Sequence, residues 1–269
     1  MYPDAGFEEL RTCCDCINVV TVLDQITDIQ DGEAAQQSTD AYLAAISGKA
    51  GEPTNLYRMV TQVRERVARK ASANCMRRFV ESSMSYCNAV AKEAELRERR
   101  CTLDIESYKK LRREFSSVRL CVDLFEYVHG MDLPDAVYEN DAFRQMYWAG
   151  VDMIYLTNDL YSYNREQSKG IAVNNMITVV ISERGYTLQQ AADFIGDEHR
   201  RLVAQMADAS ATMPSFGSKV DEDLRKYIRM MEMCVAGNII WSLESPRYFG
   251  VRGAPLERDR VVKLWDAEV

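Results

Sequence analysis

A chain of 269 residues can bury one large core, and 47% apolar residues, 28% charged residues and only 13 Gly and 6 Pro argue against disorder and against an all-β architecture. A formal net charge of −8 and a pI near 5.0 leave no overall positive field for a nucleic-acid backbone or an anionic lipid surface, so neither nucleic acid nor membrane is an expected partner. The start, MYPDAGFEEL, carries acids where an export signal needs basic residues ahead of an apolar run, and the longest uncharged stretch, 170–182, is too short to cross a bilayer; a cytoplasmic location is expected.

The eight cysteines lack the dense, regular spacing of a disulfide scaffold and read as thiols. Cys13, Cys14 and Cys16 cluster, but no second CxxC or HxxxH pair supplies the other half of a tetrahedral zinc site. His129 and His199 are the only histidines, which excludes a multi-histidine centre and an HExxH protease.

In chain order, apolar residues recur at helical steps almost throughout, so the expected fold class is all-α. The first element carries Ile17, Val20, Leu23 and Thr27 on one stripe. It runs into Asp24-Gln25-Ile26-Thr27-Asp28, where Asp24 and Asp28 stand one turn apart and repel each other unless a cation is shared. As an isolated pair they read as surface acids, with Asp31 and Glu33 on the same rim. Breaks rich in Gly, Pro or Ser fall at 51–53, 130–134, Gly185, 213–217 and 246–253. The alternating charges of 92–113 read as a solvated helical face. Met153, Leu156, Leu160 and Tyr163 mark another helix. Thr187 and Gln190 form a capping box, and Asp221 is expected to open a helix through Tyr227, Met230, Met231 and Cys234. The methionines and tyrosines read as core and amphipathic rim.

The chemistry concentrates in Thr157-Asn158-Asp159-Leu160-Tyr161-Ser162-Tyr163-Asn164-Arg165-Glu166. Asn158, Ser162 and Glu166 are spaced by four residues, and at about 100° per residue each step drifts only about 40°, so all three share one helix face. An amide oxygen, a hydroxyl and a carboxylate are hard donors suited to Mg²⁺, whereas zinc or copper favours nitrogen or sulfur. Arg165 adjoins the carboxylate and can reach a diphosphate oxygen. Taken as spacing alone, three such residues are also what the wet side of any helix offers. Magnesium held between this face and Asp24/Asp28 would fix a diphosphate at the open end of a helical bundle, above an apolar hollow with aromatic walls.

These stretches resemble a known family. NDLYSYNRE matches the NSE metal-binding motif of class I terpene synthases, and LDQITD resembles their aspartate-rich motif. LRREFSS (111–117) resembles the segment with the diphosphate-sensing arginine, and WSLESPRYFG (241–250) the C-terminal arginine-tyrosine pair. DLFEYVHGMDLPDAVYEN is most similar to fungal, basidiomycete-type sesquiterpene synthases. The resemblance implies one all-α terpene cyclase domain over 1–269, lacking the first helices of the family and leaving apolar surface exposed where they would pack.

It further implies farnesyl diphosphate as substrate and three Mg²⁺ ions, with Asp24 bridging two, Asp28 in the same acidic set, and Asn158, Ser162 and Glu166 chelating the third. Arg165 and Arg247 would contact diphosphate, Tyr248 would donate its hydroxyl, and the sensor is Arg112 or Arg113. Ionisation, ring closure and proton loss would follow in a monomer or homodimer. Gln25 stands where the family usually has a second acid, Ser117 where it often has glycine, Asn174 where it often has histidine, and Val19, Val20 and Val22 where aromatics are common. The rivals are a prenyl chain-elongating transferase, which would carry two aspartate-rich motifs, and a degenerate diphosphate-binding or helical interaction protein.

Overall fold

The structure, a computed structural model, describes residues 1–27, 29–250 and 261–266. Among these residues there is no strand; the chain runs through α1 (Phe7–Thr27), α2 (Gly32–Ile46), α3 (Asn55–Ala68), α4 (Ala73–Glu98), α5 (Ile105–Phe115), α6 (Val118–His129), α7 (Asp135–Glu139), α8 (Asp141–Ser168), α9 (Met176–Arg184), α10 (Leu188–Ala211), α11 (Ser218–Glu244) and α12 (Pro246–Phe249). A 3-10 turn, Ala172–Asn174, precedes α9.

The helix starts are set by side chains that accept orphan backbone N–H groups. Asp31, Thr54, Ser72, Asp104, Asn140 and Asn175 do this for α2, α3, α4, α5, α8 and α9. The expected capping box at Thr187 and Gln190 is formed. Asp221 does not open α11 as expected. That helix begins one turn earlier, at Ser218, and Asp221 reaches back to accept from Phe216 N (2.7 Å) and Ser215 Oγ (2.6 Å), so it fixes the preceding loop instead.

Buried residues from α1 to α11 form one apolar cluster. Cys13, Cys16, Val20 and Leu23 face it from α1, while Phe7, Leu10 and Val22 stay exposed on the outer side. Tyr2 is drawn in ahead of α1, its hydroxyl donating to Cys121 O at 2.7 Å and its ring meeting Phe125 edge-on. All eight cysteines are free, as expected of thiols. Burial pushes Cys13 and Cys16 up to about 12, which keeps them protonated and poor as metal ligands.

α8 lies deepest, packed on α10 and α11. Gly150 permits the close approach to α11, because a Cβ there would meet Met231 Cγ and Sδ at 2.5 Å. The charged run 92–113 is two helices, the end of α4 and most of α5, separated by a turn that Asp104 closes. No helix among the described residues is long and apolar enough to cross a membrane.

Candidate active site

The ends of α1 and α4, the C-terminal part of α8, the end of α5, the 3-10 turn and α12 converge on a cavity of about 180 Å³. Asp24, Gln25 and Thr27 face it from α1, Asn158, Ser162, Arg165 and Glu166 from α8, and Arg247 and Tyr248 from α12. Residues more than 130 positions apart thus share one hollow. Asp28 lies outside the described residues.

The structure separates the two candidate sensor arginines. Arg112 lines the cavity, donating from Nη2 to Asn158 Oδ1 at 2.8 Å and from Nε to Asp159 Oδ1 at 3.0 Å, with its guanidinium 4.7 Å from the centre of the Phe115 ring. Burial works against its charge, but Asp159, Tyr108 and Glu166 together outweigh that effect and raise its pKa. Asp159 is itself fixed by Tyr108 Oη (2.6 Å) and Met176 N (3.0 Å). Arg113, by contrast, is not among the cavity residues. It makes two 2.7 Å bonds to Asp152 and stacks 4.9 Å from the Trp148 ring centre. One residue along a helix is a rotation of about 100°, enough to turn the second arginine away.

On α8, the Glu166 carboxyl has a raised pKa because it is buried; Ser162 and Asn175, the latter donating from Nδ2 at 2.9 Å, pull it back down, while Asp159 adds to the rise. Ser162 Oγ is buried and makes no well-formed hydrogen bond in its own right. Asn158 Nδ2 donates to Tyr248 Oη at 2.8 Å, which ties α12 to α8. Arg165 and Arg247 line the cavity without an ion pair to any described residue.

Reading 92–113 as a solvated face missed two cavity residues besides leaving the arginine choice open. Glu93 Oε1 accepts from Asn174 Nδ2 at 2.7 Å, and Arg97 bonds Glu93 Oε2 at 2.5 Å and Thr27 O at 2.7 Å, capping the end of the helix that carries Asp24. Their i, i+4 spacing was visible in the sequence, but the same spacing is common on solvated helices. The expected aromatic-walled hollow is also revised. Apolar lining comes chiefly from Val90, Phe115 and Ile171, while fully buried Tyr108 and Tyr155 fill the space behind Arg112, leaving a cavity below the roughly 300–1,000 Å³ usual for small-molecule pockets.

The residues present fit a magnesium ion. The donors are oxygens of an amide, a hydroxyl and a carboxylate, and the buried Ser162 Oγ makes no well-formed hydrogen bond that would compete for it. Among the described residues no three His, Cys, Asp or Glu side chains cluster closely enough to hold an ion without help from other oxygens.

The family described as terpene synthase family 2, C-terminal metal binding, matches residues 15–205. Similar proteins include the linoleate 10R-lipoxygenase COP4 of Coprinopsis cinerea, 37% identical over 100% of this chain and 78% of its own. The bifunctional terpene synthase Agr4 of Cyclocybe aegerita is 35% identical, over 100% and 78%, and the viridiflorene synthase Agr2 of the same fungus 36%, over 98% and 70%. In fold, the germacradien-4-ol synthase of Streptomyces citricolor superposes with a TM-score of 0.79 at 21% identity, covering 90% of this chain and 80% of that one. A single-substitution variant of cucumene synthase gives 0.82 at 18%, covering 92% and 84%.

The helical bundle, with oxygen donors of two distant helices turned to one cavity, is the architecture of class I terpene synthases. The chain belongs to terpene synthase family 2. As a class, that makes it a lyase acting on a prenyl diphosphate, built around a metal-binding domain.

Proposed function

We propose that the chain is a Mg²⁺-dependent sesquiterpene synthase that ionises farnesyl diphosphate, cyclises the carbocation and releases inorganic diphosphate. The observation that carries this reading is that Asp24, Asn158, Ser162 and Glu166 face one cavity together with Arg112, Arg165, Arg247 and Tyr248. Bound magnesium supplies neutralisation of the leaving diphosphate's charge. Asp24 would hold it from α1, and Asn158, Ser162 and Glu166 would hold it from α8.

Arg165 and Arg247, whose charges have no carboxylate partner among the described residues, grip the diphosphate. Arg112 swings from Asn158 Oδ1 to a phosphoryl oxygen, and its bond to Asp159 is the pivot. Tyr248 donates its hydroxyl, its oxygen already placed by Asn158 Nδ2. Val90 and Phe115 supply the apolar wall beside the carbocation, and the Phe115 ring face, released by Arg112, stabilises positive carbon.

The small cavity favours one second reading, a prenyl-diphosphate-binding protein without turnover. Incubation with farnesyl diphosphate and Mg²⁺, with headspace analysis of volatiles and assay of free diphosphate, separates the two. Terpene plus diphosphate supports the synthase; Mg²⁺-dependent binding without diphosphate release supports the binder. Silence with farnesyl, geranyl and geranylgeranyl diphosphates overturns the synthase.

A further inference from the structure

α8 carries a second set of polar side chains on the side away from its metal-facing oxygens. Asn164 is two residues from both Ser162 and Glu166, about 200° around the helix from each. It is 4% exposed, yet it lines no part of the site cavity. Its amide engages backbone on both ends: Oδ1 accepts Trp265 N–H at 2.7 Å, and Nδ2 donates to Lys263 O at 3.4 Å. Gln167, three residues on, donates from Nε2 to Trp265 O at 2.8 Å. A carboxamide both donates and accepts, so it can take the part of a neighbouring strand's backbone. Two of them hold residues 263–265 against α8.

The segment they hold has no regular structure of its own. Its Val261, Val262 and Leu264 wall an uncharged chamber of about 700 Å³ that Phe249 of α12 also lines. Phe249 meets Tyr161 of α8 edge-on at 5.8 Å, while its neighbour Tyr248 faces the site cavity. α12 has four residues, too few to be stable through its own hydrogen bonds, so its orientation comes from the Ser245 cap, the Asn158–Tyr248 bond and packing.

We propose that residues 261–266 form a strap, docked across α8 by Asn164 and Gln167, which holds α12 so that Arg247 and Tyr248 point into the site cavity. Asn164 and Gln167 are then positioning residues for diphosphate, acting through α12 from the far face of the metal-bearing helix. This rests on the diphosphate site proposed above.

The test uses the full chain as wild type, Asn164→Ala, Gln167→Ala, Tyr248→Phe and the Asn164→Ala/Tyr248→Phe pair. Inorganic diphosphate with Mg²⁺ is titrated by calorimetry, and hydrogen exchange is followed at the Trp265 amide. Asn164→Ala should speed that exchange and weaken diphosphate binding about five- to tenfold, as expected for one or two lost hydrogen bonds. On the Tyr248→Phe background Asn164→Ala should cost less than it does in the wild type, because the share of its effect carried by Tyr248 is already gone while the share carried by Arg247 remains. Faster exchange at Trp265 with unaltered diphosphate binding, or full additivity in the pair, overturns the strap. Gln167 is only half-buried, so Gln167→Ala carries the test if Asn164→Ala does not fold. A wild-type chain that binds no diphosphate overturns the proposed function and the strap's role with it; normal binding by wild type and both variants overturns the strap alone.

Discussion

Arg112 donates to the same amide oxygen of Asn158 that the metal reading requires, at 2.8 Å. A cation on that oxygen would compete with and repel the guanidinium, so in the proposed reading loading the site displaces Arg112, and a bound diphosphate is the acceptor that can take it. Arg112→Ala should lower kcat/KM for diphosphate release about 10²-fold or more, as for other donors aimed at developing charge. Arg113→Ala should lower it less than about tenfold while destabilising the fold by about 1–3 kcal/mol, because it leaves Asp152 buried and unpaired. Steady-state kinetics beside thermal melts check both; equal kinetic losses would remove the distinction.

Ser162 permits a cleaner separation of function from stability. Its Oγ is buried without a well-formed hydrogen bond, so Ser162→Ala removes little that holds the fold and should shift stability by less than about 1 kcal/mol. The same change takes away a magnesium donor, and the Mg²⁺ concentration for half-maximal diphosphate release should rise about tenfold or more. A metal titration of both proteins decides this. An unchanged Mg²⁺ requirement would show that Ser162 is no ligand.

The helices were largely legible because their periodicity and their caps are local properties. The breaks at 69–72, at 99–104 and after α5 were not, since none carries glycine or proline. The last falls at Ser116 and Ser117, just beyond the charged run, and the one at 99–104 falls inside that run, whose charge pattern suggests continuity. The oxygen face of Asn158, Ser162 and Glu166 was equally legible, since one helix fixes it. The inward aim of Glu93, Arg97 and Arg112 was not, because alternating charge looks alike on a solvated face and on a face covered by α1 and α8. Packing between helices distant in sequence decides that difference.

Asp123 should make stability depend on pH. Burial raises its carboxyl from an ordinary value to about 7, against the opposing pull of Ser82 and Arg119. The folded chain therefore holds a proton that the unfolded chain has released. Stability from this group is fully present below about 3.8, falls as pH rises, and is lost once pH passes about 7. Asp123→Asn cannot ionise and lacks that fall. The difference in melting temperature, variant minus wild type, should grow from pH 4 to 7 and level off above; a constant difference across that range would refute the assignment.

Ser117 sits with φ at +61° and caps α6 without a side-chain hydrogen bond, so its left-handed backbone is not stabilised by its hydroxyl acting as a cap. For a residue with a Cβ that conformation costs roughly 1–2 kcal/mol, and glycine adopts it freely. Part of the gain is offset by the greater entropy glycine loses on folding. Ser117→Gly is therefore expected to stabilise the chain by about 0.5–1 kcal/mol. The turn joins α5, with Arg112, to α6, so a relaxed backbone there should leave Arg112 in place and diphosphate release within about twofold of wild type. Chemical denaturation measures the first quantity and initial rates the second. A destabilised Ser117→Gly chain would mean that the Ser117 side chain contributes more to this corner than the positive φ takes away.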